Sequence, residues 1–224
     1  MPKGKGKAGA ILPLVIGGGI VAAIVFSGEA QAMPSNKNAK AIAVALAEKY
    51  SKVFGVPASL VLAILQIESQ FKFDAVNKTD RAMARGGAWG IGQITLATAK
   101  DIAQRFPKEA KQYFSTFNGT GESLLDPETN IAMSAFILSR SWKRYATKPK
   151  NWVVAAMAYH QGAGTMDDIV KKLGPSYTAD QLKNSLAPNG KIYFSWLQKT
   201  VDDENSAARI AMNAEIDDKR FVYV

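Results

Sequence analysis

The chain contains no cysteine and one histidine, His160, among its 224 residues. The missing thiols exclude disulfide scaffolds, thiolate zinc sites, iron–sulfur clusters and cysteine nucleophiles, and a single imidazole cannot build a multi-histidine metal cage. No G-x-S-x-G elbow occurs and no serine is placed by motif for His160, so a nucleophilic triad is not supported. Chemistry here is expected to run on carboxylates, hydroxyls or amides, with no metal and no cofactor. Negative charge is also short: 19 Asp+Glu face 28 Lys+Arg, a net +9 that points to an anionic partner without naming it. Hydrophobic residues at 47% and charged residues at 21% fit a folded globular protein. The length suits one domain or two small ones, and no internal repeat is visible.

One long uncharged run is present, from Ala8 to Gly28, preceded by Lys3, Lys5 and Lys7 and ended by Glu29. As a helix rising about 1.5 Å per residue it would cross a hydrocarbon core of roughly 30 Å. Ala30-Gln31-Ala32 also fits the small-residue cleavage pattern of a secretory signal. Residues 1–32 are therefore expected as an N-terminal hydrophobic helix, either a cleaved signal peptide or a retained transmembrane anchor, with the N-terminus cytoplasmic. Residues 33–39 read as a short polar linker. Beyond residue 32 the chain keeps 25 basic and 18 acidic residues, so most of the charge excess belongs to the globular part. It is scattered without a long run, which fits solvated helix faces, and no nucleic-acid partner is expected.

After the linker, apolar positions recur at helical spacing. The pattern predicts helices near 38–53, 58–70, 95–105, 127–146, 151–160, 165–173, 178–186 and 190–202. Pro57 with Ser59, Asp126-Pro127-Glu128 and Thr178 supply start signals. Residues 71–94 carry Gly86, Gly87, Gly90 and Gly92 and no clean period, so they are expected as loop with a small β-hairpin. The result is a mainly α domain over 40–202, followed by a tail, 203–224, with a further polar helix and a loosely attached apolar end.

Glu68 stands out because SLVLAILQIESQF is otherwise strongly apolar. At about 100° per residue, Val61, Ile64 and Leu65 share its side of the helix, so the carboxylate is on the inward face. It also lies in the last turn, beside the helix's partial negative end. Desolvation and that dipole both disfavour ionisation, and a raised carboxyl pKa is what a general acid needs near neutral pH. The plainer reading is a glutamate at a fraying end that turns out to solvent.

Three segments decide between these readings: Ile67-Glu68-Ser69-Gln70-Phe71, Gly87-Ala88-Trp89-Gly90-Ile91-Gly92-Gln93-Ile94, and Ala158-Tyr159-His160-Gln161-Gly162. Together they resemble the lytic transglycosylase family with the soluble lytic transglycosylase (goose-type lysozyme-like) catalytic domain. Leu125 to Ile131 resembles that family's connector to its long helix, and Lys191-Ile192-Tyr193 the start of its last core helix. The resemblance runs in family order over roughly residues 40–202 and implies a lysozyme-like fold with a small irregular or β loop region.

It implies a function as well: cleavage of the β-1,4 bond between N-acetylmuramic acid and N-acetylglucosamine in peptidoglycan, with 1,6-anhydro ring formation. Glu68 takes the acid/base position. Ser69 is the following hydroxyl, expected to help position substrate or carboxyl. Gly90, Ile91 and Gln93 match the loop that binds an N-acetyl sugar, where a planar amide can both donate and accept. Tyr159 is the tyrosine expected to hydrogen-bond near the catalytic carboxyl, and His160 and Tyr193 complete the substrate-binding set. Two positions depart from the pattern. Gly92 replaces a frequent Met, which would weaken a sugar contact or open a subsite. His160 replaces the usual Asn, and either tunes pH dependence or only preserves a hydrogen bond.

The alternatives are a hydrolytic muramidase, for which Asp74, Asp80 and Glu122 are the loop candidates for a second carboxylate, and an inactive cell-wall-binding protein. Expected partners are peptidoglycan glycan strands and, through an uncleaved N-terminal segment, the membrane. The expected location is the periplasm or cell envelope, or a membrane anchorage, with a phage virion component as the other setting.

Overall fold

The computed structural model describes residues 11–16, 19–25, 36–146, 148 and 151–217. The chain divides into two units, residues 1–34 and 35–224. In the first, the described segments are two strands, β1 (Ile11–Ile16) and β2 (Gly19–Val25), paired antiparallel with Ile16 opposite Gly19. This differs from the expected hydrophobic helix. The residues explain it, since β-branched Ile and Val on both sides of a Gly-Gly dipeptide match a hairpin as well as an apolar helix. No helix among the described residues is long and apolar enough to cross a membrane. The expected cleavage after Ala32 lies outside the described residues.

The second unit is built from helices α1 (Asn36–Phe54), α2 (Ala58–Ser69), α3 (Asp80–Met83), α4 (Leu96–Arg105), α5 (Pro107–Tyr113), α6 (Pro127–Tyr145), α7 (Asn151–Gln161), α8 (Ala163–Leu173), α9 (Ala179–Asn184), α10 (Pro188–Asp202) and α11 (Ala207–Asp217). Strands β3 (Val76–Asn77), β4 (Ala88–Trp89) and β5 (Ile94–Thr95) form a small antiparallel sheet in that order. The glycine-rich stretch thus adds a strand to the expected hairpin. The eight expected helices match α1, α2, α4 and α6–α10 to within about two residues. Helix α5 is additional: Pro107 at its first turn restarts the chain immediately after α4.

Two helices organise the core. Helix α2 is buried without interruption from Ala58 to Leu65 and packs against α1, α6, α7, α10 and α11. Helix α6 begins at an N-cap where the Asp126 side chain accepts from the Thr129 N–H at 2.8 Å, and it runs beside α1 and α7. Helix α2, buried through Leu65, reads as a nearly continuous apolar run in the sequence, whereas α6 is amphipathic and leaves Arg140, Lys143 and Arg144 exposed.

The tail helix α11 packs against α2. Its Glu215 is 2% exposed and accepts hydrogen bonds from the backbone N–H groups of Ala58 and Ser59, satisfying orphan donors at the start of α2. A residue 157 positions away in the chain thus does the work of a local cap. Glu215→Ala would leave these amides buried without an acceptor, and a stability loss of about 1–3 kcal/mol is expected in urea unfolding. Glu215→Gln, which keeps an acceptor oxygen, should lose less.

Candidate functional site

Glu68 sits in the last turn of α2. The helix stops there because Gln70 and Phe71 both take left-handed backbone, at φ 55° and 63°. The third non-glycine residue with positive φ among the described residues is Gln93, at 49°. All three adjoin the candidate site, and each such conformation costs about 1 kcal/mol or more, supplied by the surrounding packing.

The Glu68 carboxyl is half-buried, and its Oε1 accepts a 2.9 Å hydrogen bond from the Tyr193 hydroxyl of α10. Burial raises its pKa from 4.5 to about 7, while the Tyr193 hydrogen bond pulls the other way by favouring the carboxylate. The solvent-facing reading is thereby excluded. The carboxyl carries its proton for much of the time at neutral pH, as a general acid requires.

The two tyrosines divide their work. The Tyr159 hydroxyl, near enough to Glu68 to feel its charge, donates to the Gly92 carbonyl at 2.7 Å and lies 3.1 Å from the Ser134 hydroxyl. Tyr193 makes the direct bond. Burial raises the pKa of both phenols, and the nearby Glu68 raises it further, so both remain hydroxyls. Ser69 is buried, and its hydroxyl donates to the Leu65 carbonyl at 3.2 Å within its own helix.

The loop carrying Gly90, Ile91 and Gln93 is stapled to α6 by Asn130, a residue that sequence reasoning did not single out. Asn130 is fully buried; its Oδ1 accepts from the Gly92 N–H at 2.8 Å, and its Nδ2 donates to the carbonyls of Trp89 at 2.9 Å and Leu124 at 2.8 Å. A signal was available in part: Asn130 opens the apolar stretch Ile131-Ala132-Met133 of α6, where a buried amide needs partners. Gly92 opens no subsite. A Cβ there would land on the Ser134 hydroxyl and reach 3.0 Å from Asn130 Oδ1 and Tyr159 Oη, so the close approach of loop to helix requires glycine. Ile91 is buried under the loop. Gln93 gives its Nε2 to the carbonyls of Gly90 at 2.9 Å and Ala75 at 3.1 Å, and its Oε1 accepts from no described residue.

His160 stacks on the Tyr193 ring at 4.0 Å between centroids and 13° between planes, and its Nε2 is buried without a hydrogen-bond partner among the described residues. Burial, then the positive charge of Arg81, lowers its pKa below 6.5, so the ring is neutral at neutral pH. The imidazole thus backs the tyrosine that holds Glu68. Asp74, Asp80 and Glu122 are all exposed, and no hydrogen bond joins them to the Glu68 group.

These groups have a titration consequence. With Glu68 in the general-acid role that the resemblance implies, activity is lost as pH rises through its pKa, so kcat/KM is expected to fall above about pH 7. Tyr193→Phe removes a bond that favours the carboxylate and should move this limb to higher pH by about one unit. A pH–rate profile of both proteins checks the sign; a limb that moved to lower pH would contradict the assignment.

A helical domain with one carboxylic acid at the end of a buried helix, facing a glycine-rich loop, is lysozyme-like in class. More specifically, the chain belongs to the transglycosylase SLT domain family, whose family model matches residues 45–181. Two proteins named membrane-bound lytic murein transglycosylase C are similar to it. The one from Photorhabdus laumondii is 29% identical over 76% of this chain and 44% of its own length; the one from Serratia proteamaculans is 29% identical over 64% and 38%. The chain thus spans less than half the length of these relatives. Among solved structures, an inactive Glu-to-Gln mutant of the lytic transglycosylase Slt from Pseudomonas aeruginosa shares the fold with a TM-score of 0.54, at 19% identity over 80% of this chain and 25% of that one.

Proposed function

We propose that the chain is a peptidoglycan lytic transglycosylase acting on the β-1,4 bond between N-acetylmuramic acid and N-acetylglucosamine. The observation that carries this reading is Glu68, a single carboxyl with a pKa near 7 and no second acid bonded into its surroundings. Protonated Glu68 gives its proton to the glycosidic oxygen as the bond to the muramyl C1 breaks towards an oxocarbenium-like state. The muramyl acetamido oxygen supports C1, so no protein nucleophile is needed. The Glu68 carboxylate then removes the proton of the C6 hydroxyl, whose oxygen attacks C1 and closes the 1,6-anhydro ring. This step returns Glu68 to its starting acid form.

The remaining groups serve binding and orientation. The free Gln93 Oε1 suits a sugar acetamido N–H, with the Gln93 amide nitrogen held by the loop carbonyls. Tyr193 aims the carboxyl and stabilises it in its anionic phase. Ser69 supports the last turn of α2 from within.

Product mass is the direct test. Digestion of purified sacculi should release muropeptides one water lighter than hydrolysis products and without reducing ends. Reducing ends alone would make the protein a muramidase, and no released product with intact binding would make it a wall-binding protein. A wall polymer as substrate puts the working protein in the cell envelope. The residue at the N-terminus of the native protein separates its settings: Met33 means release after Ala32, and an intact start means a membrane anchor or a virion component.

A further inference from the structure

A groove of about 1000 Å3 lies between α5 and the C-terminal half of α6, and none of Glu68, Gln93, Tyr159 or Tyr193 lines it. Of the α6 positions lining it, Phe136, Ser139, Arg140 and Lys143 are, at about 100° per residue, on the opposite side of the helix from Ser134, which touches Tyr159, and Ser141 and Arg144 complete the lining. It is therefore separate from the catalytic cleft. Its rim is basic: Arg105, Lys108, Arg140, Lys143 and Arg144 face one acid, Glu109. Arg105 is paired with Asp101, and Arg144 with Asp167. Lys108, Arg140 and Lys143 make no ion pair among the described residues and are exposed.

The floor narrows the class of ligand. Phe54 and Phe136 are buried, the Arg140 guanidinium lies 4.4 Å from the Phe106 ring centre, and the half-buried Tyr113 ring packs edge-to-face with Tyr50 and Phe54, so these rings are already engaged. The groove thus lacks the open stacking platforms that single-stranded nucleic acid uses, and three cations around one pocket do not make a phosphate track. It offers instead a fixed guanidinium and two ammonium groups around a peptide-sized hollow, which suits carboxylates on a short flexible chain.

We propose that this groove binds the carboxylates of peptidoglycan peptide stems, as a second point of attachment to the wall. The proposal rests on the reading of the chain as a peptidoglycan enzyme. A second weak site on a solid polymer raises the local concentration of substrate at the cleft without touching the chemistry.

The test uses full-length protein carrying Glu68→Gln, which can bind sacculi without digesting them, with and without Lys108→Gln, Arg140→Gln and Lys143→Gln together. The triple change is expected to weaken pelleting with sacculi about tenfold and to remove most of its salt sensitivity. Sacculi stripped of stem peptides should bind both proteins equally weakly. With Glu68 intact, the triple variant should cleave short peptide-free glycans at the wild-type rate and intact sacculi more slowly. Arg140→Lys, which keeps the charge, should retain binding, and a matching thermal melt shows that the triple variant is folded. Unchanged pelleting of the triple variant, or unchanged binding after peptide removal, overturns the proposal. So does loss of DNA binding by the triple variant with sacculus binding intact, which would assign the groove to nucleic acid. Failure of the enzymatic reading looks different: wild type would release no anhydro-muropeptides while the pelleting comparison kept its outcome.

Discussion

Glu68→Gln is expected to lower kcat on sacculi by about 10³-fold or more, because in the proposed mechanism the same group supplies the proton to the leaving oxygen and recovers one from the C6 hydroxyl. The substitution is nearly isosteric, and the amide oxygen can still accept from the Tyr193 hydroxyl that now binds Oε1 at 2.9 Å. Binding should survive, so the loss should appear in kcat with KM little changed. The same variant should gain stability at alkaline pH. The folded state raises the Glu68 pKa from 4.5 to about 7, so it holds the proton more tightly than the unfolded chain. The wild type is therefore unpenalised below about pH 4.5, and the cost grows as pH rises to about 7, reaching about 1–3 kcal/mol for this half-buried group. Glutamine does not titrate, so urea unfolding at pH 8 should find the variant more stable than wild type, with the difference vanishing near pH 4. A variant equally stable at both pH values would mean that the carboxyl is not desolvated.

The second large effect is expected at Asn130. Replacing it by Ala leaves the Gly92 N–H and the carbonyls of Trp89 and Leu124 without their partner, in a place where Asn130 itself is completely buried. Three such losses predict about 3–5 kcal/mol of destabilisation, offset only where water enters. Activity should fall more steeply than stability alone requires, because Gln93 rides on the same loop and its backbone is held at φ 49°. Asn130→Asp separates hydrogen bonding from volume: it keeps the size and one acceptor but cannot donate to two carbonyls, so it should be as damaging as Ala. An Asp variant that behaved like wild type would show that the staple is packing, not hydrogen bonding.

Much of this architecture is legible in the chain itself. Core helices carry their own periodicity and caps, so α2, α6 and their neighbours can be placed from apolar spacing, Pro57 and Asp126-Pro127. Glu68 is legible in two steps: a charge on an apolar face is costly and draws attention to it, and the motif segments around residues 68, 90 and 159 decide against a solvent-facing glutamate. The loop was harder. Its conformation is held by contacts to Asn130, 38 positions from Gly92, and to Ala75, 18 positions from Gln93, which no local pattern encodes. The N-terminal run shows the opposite limit, since β-branched residues around Gly-Gly support a hairpin as readily as an apolar helix.

Composition and local pattern determined the helical class and marked Glu68 as an acid on an apolar face, and the motif resemblance singled it out as the candidate acid. Only the tertiary structure decided which tyrosine holds that acid. The resemblance places Tyr159 and Tyr193 together in the substrate-binding set, and only the fold shows that their hydroxyls find different partners, Gly92 for Tyr159 on α7 and Glu68 for Tyr193 on α10. The same holds for His160, which looked like a polar substitute for an amide and proved to be a ring stacked on Tyr193, and for Glu215, whose capping role spans most of the chain. Hydrogen bonds and stacking act over a few ångströms in space, and sequence patterns report only neighbours along the chain.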